Sequence, residues 1–413
     1  MMMLDNNNLR QLMSEVNKSF YVYDEEEILK SINILKDKFK EFEILYSVKT
    51  NPNKHILDLM SKNNIGSDAA SAKEVQISNT ANINKNNIIY SAPGKRRKDI
   101  EESIDKCIIT ADSYNELSLL NEIGKERNTN LEVGLRINAN YNMFGGESIS
   151  SKYGVDEETL IENKNFIDNL SNIEVVGIHV HLQSQILDYE IIYNYYEYVL
   201  KLALFCKEKM KFNLKFINFG GGLGISYGNS YGNLDIDKLS KMSNELIKKY
   251  KQKLNARFII ESGRFLVCKS GAYVTPIIDI KESRGRKYLI VQNGYNGFFK
   301  PTISELIVSY TNKKDNLKMM EPLFTSYDSY TISLIKREDK EENNKEIVTI
   351  GGNLCTAVDI LAKDILLTKA EINDLIFINN AGSYAYSLTP LSFSSQEKPV
   401  EIYYTSKDYH VID

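Results

Sequence analysis

Short apolar runs alternate with amphipathic stretches between residues 30 and 270. The amphipathic stretches include NKHILDLMSKN, SYNELSLLNEIGKE and LSKMSNELIKKYKQKL, in which apolar residues recur with helical spacing. The apolar runs are FEILYSV, NIIYSA, CIITAD, LEVGLRIN, VVGIHVH, FINFGGG and ARFIIES. Apolar strands separated by helices predict parallel βα units, and seven or eight such units fit a closed (β/α)8 TIM barrel better than an open doubly wound sheet.

The pattern changes after residue 270, where apolar runs follow one another closely and helical periodicity is weak. These runs are GAYVTPIIDIKE, RKYLIVQNG, KEIVTIGG, DLIFINNAG and PVEIYYTS, and AVDILAKD alone has a helical pattern. We therefore predict a barrel domain over 30–270 and a mostly β domain formed by 1–29 and 271–413. The opening segment SFYVYDEEEILKSI predicts a strand that runs into a helix, and it fits either domain.

Composition narrows the class of protein without pointing to a partner. The 51 Lys and Arg residues nearly balance the 55 Asp and Glu residues, so neither nucleic acid nor an anionic membrane is implied. The N-terminus MMMLDNNNLRQLM lacks the features of a signal peptide, and no apolar run approaches membrane-spanning length, so we expect a cytoplasmic protein. The four cysteines are far apart in sequence, which predicts neither disulfides nor a metal site.

Residues of unusual chemistry stand at the ends of the predicted strands. In a closed parallel barrel, the carboxyl ends of the strands point into the active site. Lys49 at the end of one run is either a lysine reaching for solvent or a desolvated amine with a chemical role, and its place in this set favours the second interpretation. The set is Lys49 with Asn51, Asp68, Arg136 with Asn138, His181 with Ser184 and Gln185, Gly220 to Gly222, and Glu261 with Arg264.

The glycine run FGGGLG has three possible interpretations. A dinucleotide-binding turn is disfavoured, because the glycines lead into the loop-like ISYGNSYG and not into a helix. A tight turn with no ligand remains open on the glycines alone. The third interpretation is a nest of backbone N–H groups that binds a phosphate, assisted by Arg264 after the next strand.

A phosphate nest, a lysine, a carboxylate and a histidine in one barrel mouth suggest pyridoxal phosphate. The motifs YSVKTNP, GSDAASAKE, HVHLQSQ, INFGGGLG, ESGR, GGNLCTAVD and AGSYAYS resemble, in order and over residues 20–400, those of the fold-type III pyridoxal-phosphate decarboxylases. That family includes the diaminopimelate, ornithine and arginine decarboxylases. The resemblance implies an alanine-racemase-like barrel with a C-terminal β domain and pyridoxal 5'-phosphate as cofactor.

The resemblance also implies a role for each matching residue. Lys49 corresponds to the Schiff-base lysine, His181 to the histidine that stacks on the cofactor ring, and Glu261 to the carboxylate facing the ring nitrogen. Cys355 and Asp359 correspond to residues that reach the active site of the partner subunit, so a homodimer with shared sites is implied. The phosphate-binding and supporting positions are Ser184, Gly220, Gly221, Gly222, Gly263, Arg264 and Tyr384, with Asp68, Glu74 and Arg136.

The chemistry of decarboxylation explains two of these residue types. Loss of CO2 from an α-amino acid leaves an electron pair, which a protonated pyridine ring can take up if a carboxylate such as Glu261 keeps its nitrogen protonated. The α-carbon must then be reprotonated, and a thiol such as Cys355 is suitable because its ordinary pKa, about 8.5, is near working pH. Cys107, Cys206 and Cys268 lie in apolar runs and are interpreted as core residues.

Three departures from the diaminopimelate decarboxylase pattern concern the substrate. Lys300 stands where those enzymes have arginine, Ser304 where they have tyrosine, and Thr356 where they have glutamate. Together with Arg264 and Asp359, these residues are the predicted substrate contacts. A lysine supplies a point charge but not the fork with which arginine grips a carboxylate. The expected reaction is conversion of meso-diaminopimelate to L-lysine and CO2, with another or a conjugated diamino acid as the alternative.

Two other classes of protein are weighed against a decarboxylase. An alanine-racemase-like enzyme would share Lys49 and the barrel but would have no use for the motif GNLCTAVD. A cofactor-binding protein without catalytic activity is usually a barrel alone, so the long C-terminal segment argues against it. Both classes are therefore less favoured than a decarboxylase.

Overall fold

The computed structural model describes residues 5–148, 150–227, 232–310, 330–338 and 342–412. Its helices are α1 (Asn6–Val16), α2 (Glu25–Lys38), α3 (Lys54–Lys62), α4 (Ala72–Thr80), α5 (Arg97–Ser103), α6 (Tyr114–Glu126), α7 (Lys164–Asp168), α8 (Tyr189–Phe205), α9 (Ile236–Leu254), α10 (Arg264–Val267) and α11 (Phe299–Tyr310). None of the helices in these ranges is long and apolar enough to cross a membrane.

The strands belong to two separate sheets. Those of the first half are β1 (Phe20–Asp24), β2 (Glu43–Ser47), β3 (Gly66–Ala69), β4 (Ile88–Tyr90), β5 (Ile108–Ala111), β6 (Leu131–Asn138), β7 (Val155–Asp156), β8 (Ile173–His179), β9 (Phe216–Asn218) and β10 (Arg257–Ser262). Those of the second half are β11 (Gly271–Ser283), β12 (Arg286–Val291), β13 (Ile332–Ile335), β14 (Lys345–Gly351), β15 (Ile360–Thr368), β16 (Leu375–Ile378), β17 (Val400–Tyr404) and β18 (Tyr409–Ile412).

Eight parallel strands close into a barrel in the order β2, β3, β4, β5, β6, β8, β9, β10, with β10 pairing back to β2. The short strand β7 adds to the edge of β6. Apolar side chains from five of these strands form a packed cluster: Leu45, Ile89, Val176, Phe216 and Ile259. Because this cluster fills the space between the strands, the chemistry is confined to the ends of the strands. The predicted (β/α)8 barrel is confirmed.

The strand β3 was not among the predicted apolar runs, although its Asp68 was. Its sequence GSDA has small and polar residues, yet all four are buried. Both neighbouring strands, β2 and β4, supply its backbone hydrogen-bond partners. The surrounding sheet, and not side-chain hydrophobicity, therefore determines this strand.

The second sheet is mostly antiparallel and runs in the order β15, β14, β12, β11, β1, β17, β18, with β16 bonded to β11 and β13 bonded to β16. The parallel pairs are β1 with β17 and β12 with β14. The predicted helix AVDILAKD is wrong, because from Ile360 onward this segment is the edge strand β15, paired antiparallel with β14. The predicted transition from strand to helix near the start is confirmed as β1 and α2.

Residue contacts divide the chain into two compact units. One contains the described residues of Met1–Ser31, Ser226–Gly232 and Arg264–Asp413, and the other contains those of Ile32–Ile225 and Asn233–Gly263. The barrel lies in the second unit and the mostly antiparallel sheet in the first. Two of the cysteines interpreted as core residues, Cys206 and Cys268, are buried, and Cys107 is partly buried.

Candidate active site

Lys49 lies on the short turn Val48–Thr50 that follows β2 at the mouth of the barrel. Its Nζ is 3.3 Å from Oδ2 of Asp68, which stands at the end of the neighbouring strand β3. The Lys49 side chain is 44 % exposed, whereas that of Asp68 is 1 % exposed. The lysine is thus directed at a buried carboxylate while its amine remains open to a ligand, which a lysine reaching only for solvent would not require.

Asp68 is held in its ionised form by its neighbours. The Oγ of Ser91 donates to Oδ1 of Asp68 over 2.6 Å. Burial by itself would raise the pKa of Asp68, but Lys49 and the hydroxyls of Ser91 and Ser47 lower it below its usual range. Ser91, which sequence reasoning missed because it follows the short strand β4 inside an unremarkable run, therefore helps to fix the charge beside Lys49.

Arg136 and Glu74 support this corner of the mouth. Arg136 is buried on β6, where its Nη1 lies 3.5 Å from Oδ1 of Asp112 and 3.4 Å from the carbonyl of Ser91. Glu74 accepts the backbone N–H of Ala70 over 2.6 Å at the start of α4, and burial raises its pKa to about 7. Both residues lie in the predicted supporting positions.

His181 is packed against the glycine loop that follows β9. Its Nδ1 accepts the N–H of Gly221 over 3.1 Å, and its Nε2 is 3.4 Å from Oγ of Ser184. Burial, with the positive charges of Arg136 and Lys49, lowers the pKa of His181 to about 3. A neutral ring whose Nδ1 accepts carries its proton on Nε2, so His181 presents an uncharged aromatic face and one donor.

Backbone conformation explains the glycines after β9. Gly220 has φ +64°, and a Cβ there would lie 2.6 Å from that of His181. Gly222 has φ +143°, a conformation that side chains other than glycine rarely adopt. The N–H of Gly220 donates to Oδ1 of Asn218, and that of Gly221 to His181. Of the three expected phosphate donors, two are therefore used inside the protein, which leaves Gly222.

Gln185 holds the glycine loop in place from the other side. Its Nε2 donates to the carbonyl of Ile225 over 2.6 Å, and its Oε1 accepts the N–H of the same residue over 2.9 Å. Ile186 exchanges two further backbone hydrogen bonds with Gly222 and Gly224. The sequence placed Gln185 at a strand end without a role, and the structure shows that it clamps the loop.

Glu261 is buried near the end of β10 and faces two other buried polar side chains. Nδ2 of Asn218 donates to its Oε1 over 2.7 Å, and Nε2 of His179 is 3.4 Å from the same oxygen. Burial, with repulsion from Asp68, raises the pKa of Glu261 to about 8. Gly263 follows at a close approach, since a Cβ there would be 1.9 Å from Oγ1 of Thr50.

Two predicted site cations lie in the other unit, on either side of Tyr227. The Arg264 Nη1 donates to the Tyr227 hydroxyl, and its guanidinium carbon is 5.0 Å from the centre of the Tyr384 ring. Nζ of Lys300 is 5.6 Å from the centre of the Tyr227 ring, and Lys300 is 1 % exposed. Tyr384 has φ +50°, a strained conformation for a residue other than glycine and typical of functional sites.

Cys355 is exposed on the loop between β14 and β15, next to the half-buried Thr356. Asp359 ends this loop, and its carboxylate accepts the backbone N–H groups of Tyr295 over 2.7 Å and Leu354 over 2.9 Å. The expected substrate contact at Asp359 is therefore revised, because backbone donors occupy its oxygens and give it a loop-holding role.

Ser304 is also revised as a substrate contact. Its Oγ donates to the carbonyl of Lys300 over 3.1 Å, one turn earlier in α11. The side chain of Ser304 is thus engaged with its own helix. Lys300 and Thr356 remain as predicted substrate contacts.

The barrel mouth fits pyridoxal phosphate. It offers an accessible amine on Lys49, a buried carboxyl on Glu261 and a glycine at Gly222 whose missing Cβ leaves room beside the loop. It also contains an imidazole, that of His179, whose two nitrogens have no hydrogen-bond partner among the described residues. Buried polar atoms left in this state indicate a group that the protein is built to accept.

Comparison with known proteins agrees with this assignment. Residues 25–268 match the family model of the pyridoxal-dependent decarboxylases, pyridoxal binding domain. The chain is 29% identical over 422 residues to the L-glutamyl-[BtrI acyl-carrier protein] decarboxylase of Niallia circulans, covering 100% of this chain and 94% of that protein. It is 27% identical over 403 residues to the diaminopimelate decarboxylase of Campylobacter jejuni, covering 95% and 92% of the two chains.

The structure is likewise similar to that of the diaminopimelate decarboxylase of M. jannaschii in complex with L-lysine. The TM-score is 0.84 at 26% identity, over 98% of this chain and 91% of that one. The fold and the site define a pyridoxal-phosphate-dependent enzyme built on a parallel barrel. The chain belongs to the pyridoxal-dependent decarboxylase family; it is a decarboxylase, and pyridoxal phosphate is its cofactor.

Proposed function

We propose that this protein decarboxylates an α-amino acid with a polar distal group, and that meso-diaminopimelate, which would give L-lysine and CO2, is its first candidate substrate. The observation that carries the proposal is the barrel mouth, where Lys49 and the buried carboxyl of Glu261 stand at the ends of neighbouring strands. The diaminopimelate decarboxylases among its relatives support the substrate.

The residues of the barrel would hold the cofactor and control its protons. When bound, pyridoxal phosphate supplies an aldehyde that captures an amine and a ring that takes up the electron pair released with CO2. Lys49 offers the amine for attachment, and Asp68 keeps a negative charge beside it. Glu261 holds a proton in its buried carboxyl at neutral pH and can share that proton with the ring nitrogen.

Other residues would orient the group and exclude water. The neutral ring of His181 offers a flat apolar surface for stacking. Ser184, Gly222, Arg264 and Tyr384 are the proposed phosphate contacts, and a phosphate suits the combination of guanidinium, hydroxyls and backbone N–H. The loop that holds Gly222 is fixed by Gln185, so this donor is already in place before the cofactor binds.

Cys355 is proposed to return a proton to the α-carbon in the active site of a partner subunit. Its thiol is exposed, and Asp359 fixes the loop that carries it. An exposed thiol on a fixed loop is suited to act on a ligand held by another copy of the chain. A homodimer, a place in lysine biosynthesis and a cytoplasmic location are parts of this proposal.

A second candidate substrate is an amino acid conjugated through its distal end. Lys300 lacks the two-pronged geometry of arginine, and Ser304 directs its hydroxyl into its own helix, so the distal subsite offers few groups to a free amino-acid end. A relative named for an L-glutamyl group on an acyl-carrier protein supports this alternative. Decarboxylases of ornithine or lysine belong to the same family of alternatives.

A CO2-release panel tests the proposal. It compares meso-diaminopimelate, D- and L-lysine, D- and L-ornithine, L-arginine, N-acylated diamino acids and an L-glutamyl thioester, each with protein loaded with pyridoxal phosphate. Release from meso-diaminopimelate with the highest kcat/KM supports the first candidate. A higher kcat/KM with a masked or conjugated distal end supports the second, and no release from any compound overturns both.

A further inference from the structure

His179, the first histidine of the motif HVH, is a buried imidazole that none of the roles above uses. It is the last residue of β8 and is 1 % exposed. Neither of its ring nitrogens has a hydrogen-bond partner within the described residues. Native proteins rarely bury a polar group in this state, and a phenylalanine would fill the same space without the unsatisfied nitrogens. The imidazole therefore calls for a chemical explanation.

The alternation of side chains along β8 sends His179 and His181 to the same side of the strand, toward the interior of the barrel, with Val180 between them on the other side. His179 pairs in register with Asn218 on β9, and Asn218 pairs with Ile259 on β10. Glu261 lies two residues beyond Ile259 on the same strand. The sheet therefore brings these three polar side chains together.

The contacts around Glu261 form one arrangement. Its Oε1 accepts from the amide of Asn218 over 2.7 Å and lies 3.4 Å from Nε2 of His179. The other end of the Asn218 side chain, Oδ1, accepts the N–H of Gly220. Asn218 thus ties Glu261 to the glycine loop, and His179 stands where it can contact the same carboxylate oxygen from a second direction.

Protonation states favour donation from His179 to Glu261. Burial lowers the pKa of His179 well below its usual 6.5, and the charge of Arg136 adds to this effect. A neutral imidazole has one N–H, which lies on Nε2 when that atom faces a carboxylate. The 3.4 Å separation is that of a contact that has not yet closed, as found in enzymes before their ligand is bound.

We propose that His179 is a positioning residue for Glu261. Its Nε2–H would donate to Oε1 of the ionised carboxylate and, together with Asn218, fix its rotation, so that the other oxygen, Oε2, is left for the ring nitrogen of the cofactor. This inference rests on the proposed role of Glu261. It assigns a function to a histidine that the reaction itself does not require.

The test uses the loaded protein with pyridoxal phosphate labelled with ¹⁵N in its ring. His179→Phe should move the ¹⁵N chemical shift toward that of a neutral pyridine and lower kcat by about ten- to a hundredfold, the loss expected for one hydrogen bond to a charged group, with little change in KM. His179→Gln, which places an amide N–H near the position of Nε2, should restore most of both. If His179→Phe fails to fold, the smaller His179→Leu is measured in its place.

Two results separate the failure of this inference from that of the proposed function. If Glu261→Gln moves the ¹⁵N shift and His179→Phe changes neither the shift nor kcat, His179 is a core residue and the inference is overturned. If Glu261→Gln leaves the shift where it is in the unmodified protein, the assignment of Glu261 itself is wrong. A His179→Gln variant as impaired as His179→Phe would also contradict a donor role.

Discussion

Glu261 should destabilise the protein without its cofactor as pH rises, and Glu261→Gln should remove that effect. Burial raises the pKa of Glu261 from 4.5 to about 8 in the folded chain. The folded state therefore binds more protons than the unfolded state between these two values. Stability is complete below pH 4.5, falls as pH rises toward 8, and stays at its lower level above 8.

The size of the effect follows from the shift in pKa. Each unit corresponds to about 1.4 kcal/mol, so the folded protein loses about 3 kcal/mol at pH 7 and about 5 kcal/mol at pH 8 relative to acidic pH. Glutamine has nearly the same shape but no charge to bury. It also keeps a carbonyl oxygen that can accept from Asn218. Glu261→Gln should therefore abolish activity and stabilise the cofactor-free protein at pH 8.

Urea unfolding of cofactor-free protein at pH 5.5, 7 and 8 measures this difference. Between pH 5.5 and 8 the unmodified protein should lose about 3 kcal/mol more than Glu261→Gln. Glu74, whose pKa is raised to about 7, is present in both proteins, so its contribution cancels. Glu132→Gln is the control, since Glu132 lies half-exposed in a surface ion pair with Lys215. Parallel pH profiles for Glu261→Gln and the unmodified protein would refute the reasoning.

Three further predictions concern other residues. Cys355→Ala should slow turnover without loss of bound cofactor, and mixing it with Lys49→Ala should restore part of the activity; no recovery after confirmed subunit exchange would contradict a shared site. Lys300→Ala should lower kcat/KM more for a substrate with a distal carboxylate than for one without, and equal losses would show that Lys300 does not contact that group. Gln185→Ala should reduce the free energy of unfolding by about 2 to 4 kcal/mol, because it leaves two buried backbone groups of Ile225 unsatisfied, and a loss below about 0.5 kcal/mol in urea unfolding would contradict the clamp.

Much of the fold could be predicted because the barrel strands carry continuous apolar runs. The exceptions have physical causes. β3 is a strand made of GSDA, in which pairing on both sides replaces hydrophobicity. AVDILAKD has helical spacing, yet from Ile360 onward it is an edge strand whose two faces differ in exposure. Tertiary pairing decided the structure in both cases.

The candidate site was predictable where a residue acts through its own chemistry, as with Lys49 and Glu261. It was less predictable where a side chain serves the backbone. Asp359 binds two N–H groups contributed by different loops, and Gln185 binds a residue 40 positions away. Such partners are set by the folded chain and leave no local pattern in the sequence.

The most direct test of the account is to locate the lysine that carries the cofactor. Protein loaded with pyridoxal phosphate is treated with sodium borohydride, which makes a link between lysine and cofactor permanent, and is then digested and analysed by peptide mass spectrometry. The account predicts the added mass on Lys49, with the absorption band of the bound cofactor lost in Lys49→Ala while the fold is kept. Attachment to a different lysine, or an unchanged band in Lys49→Ala, would contradict it.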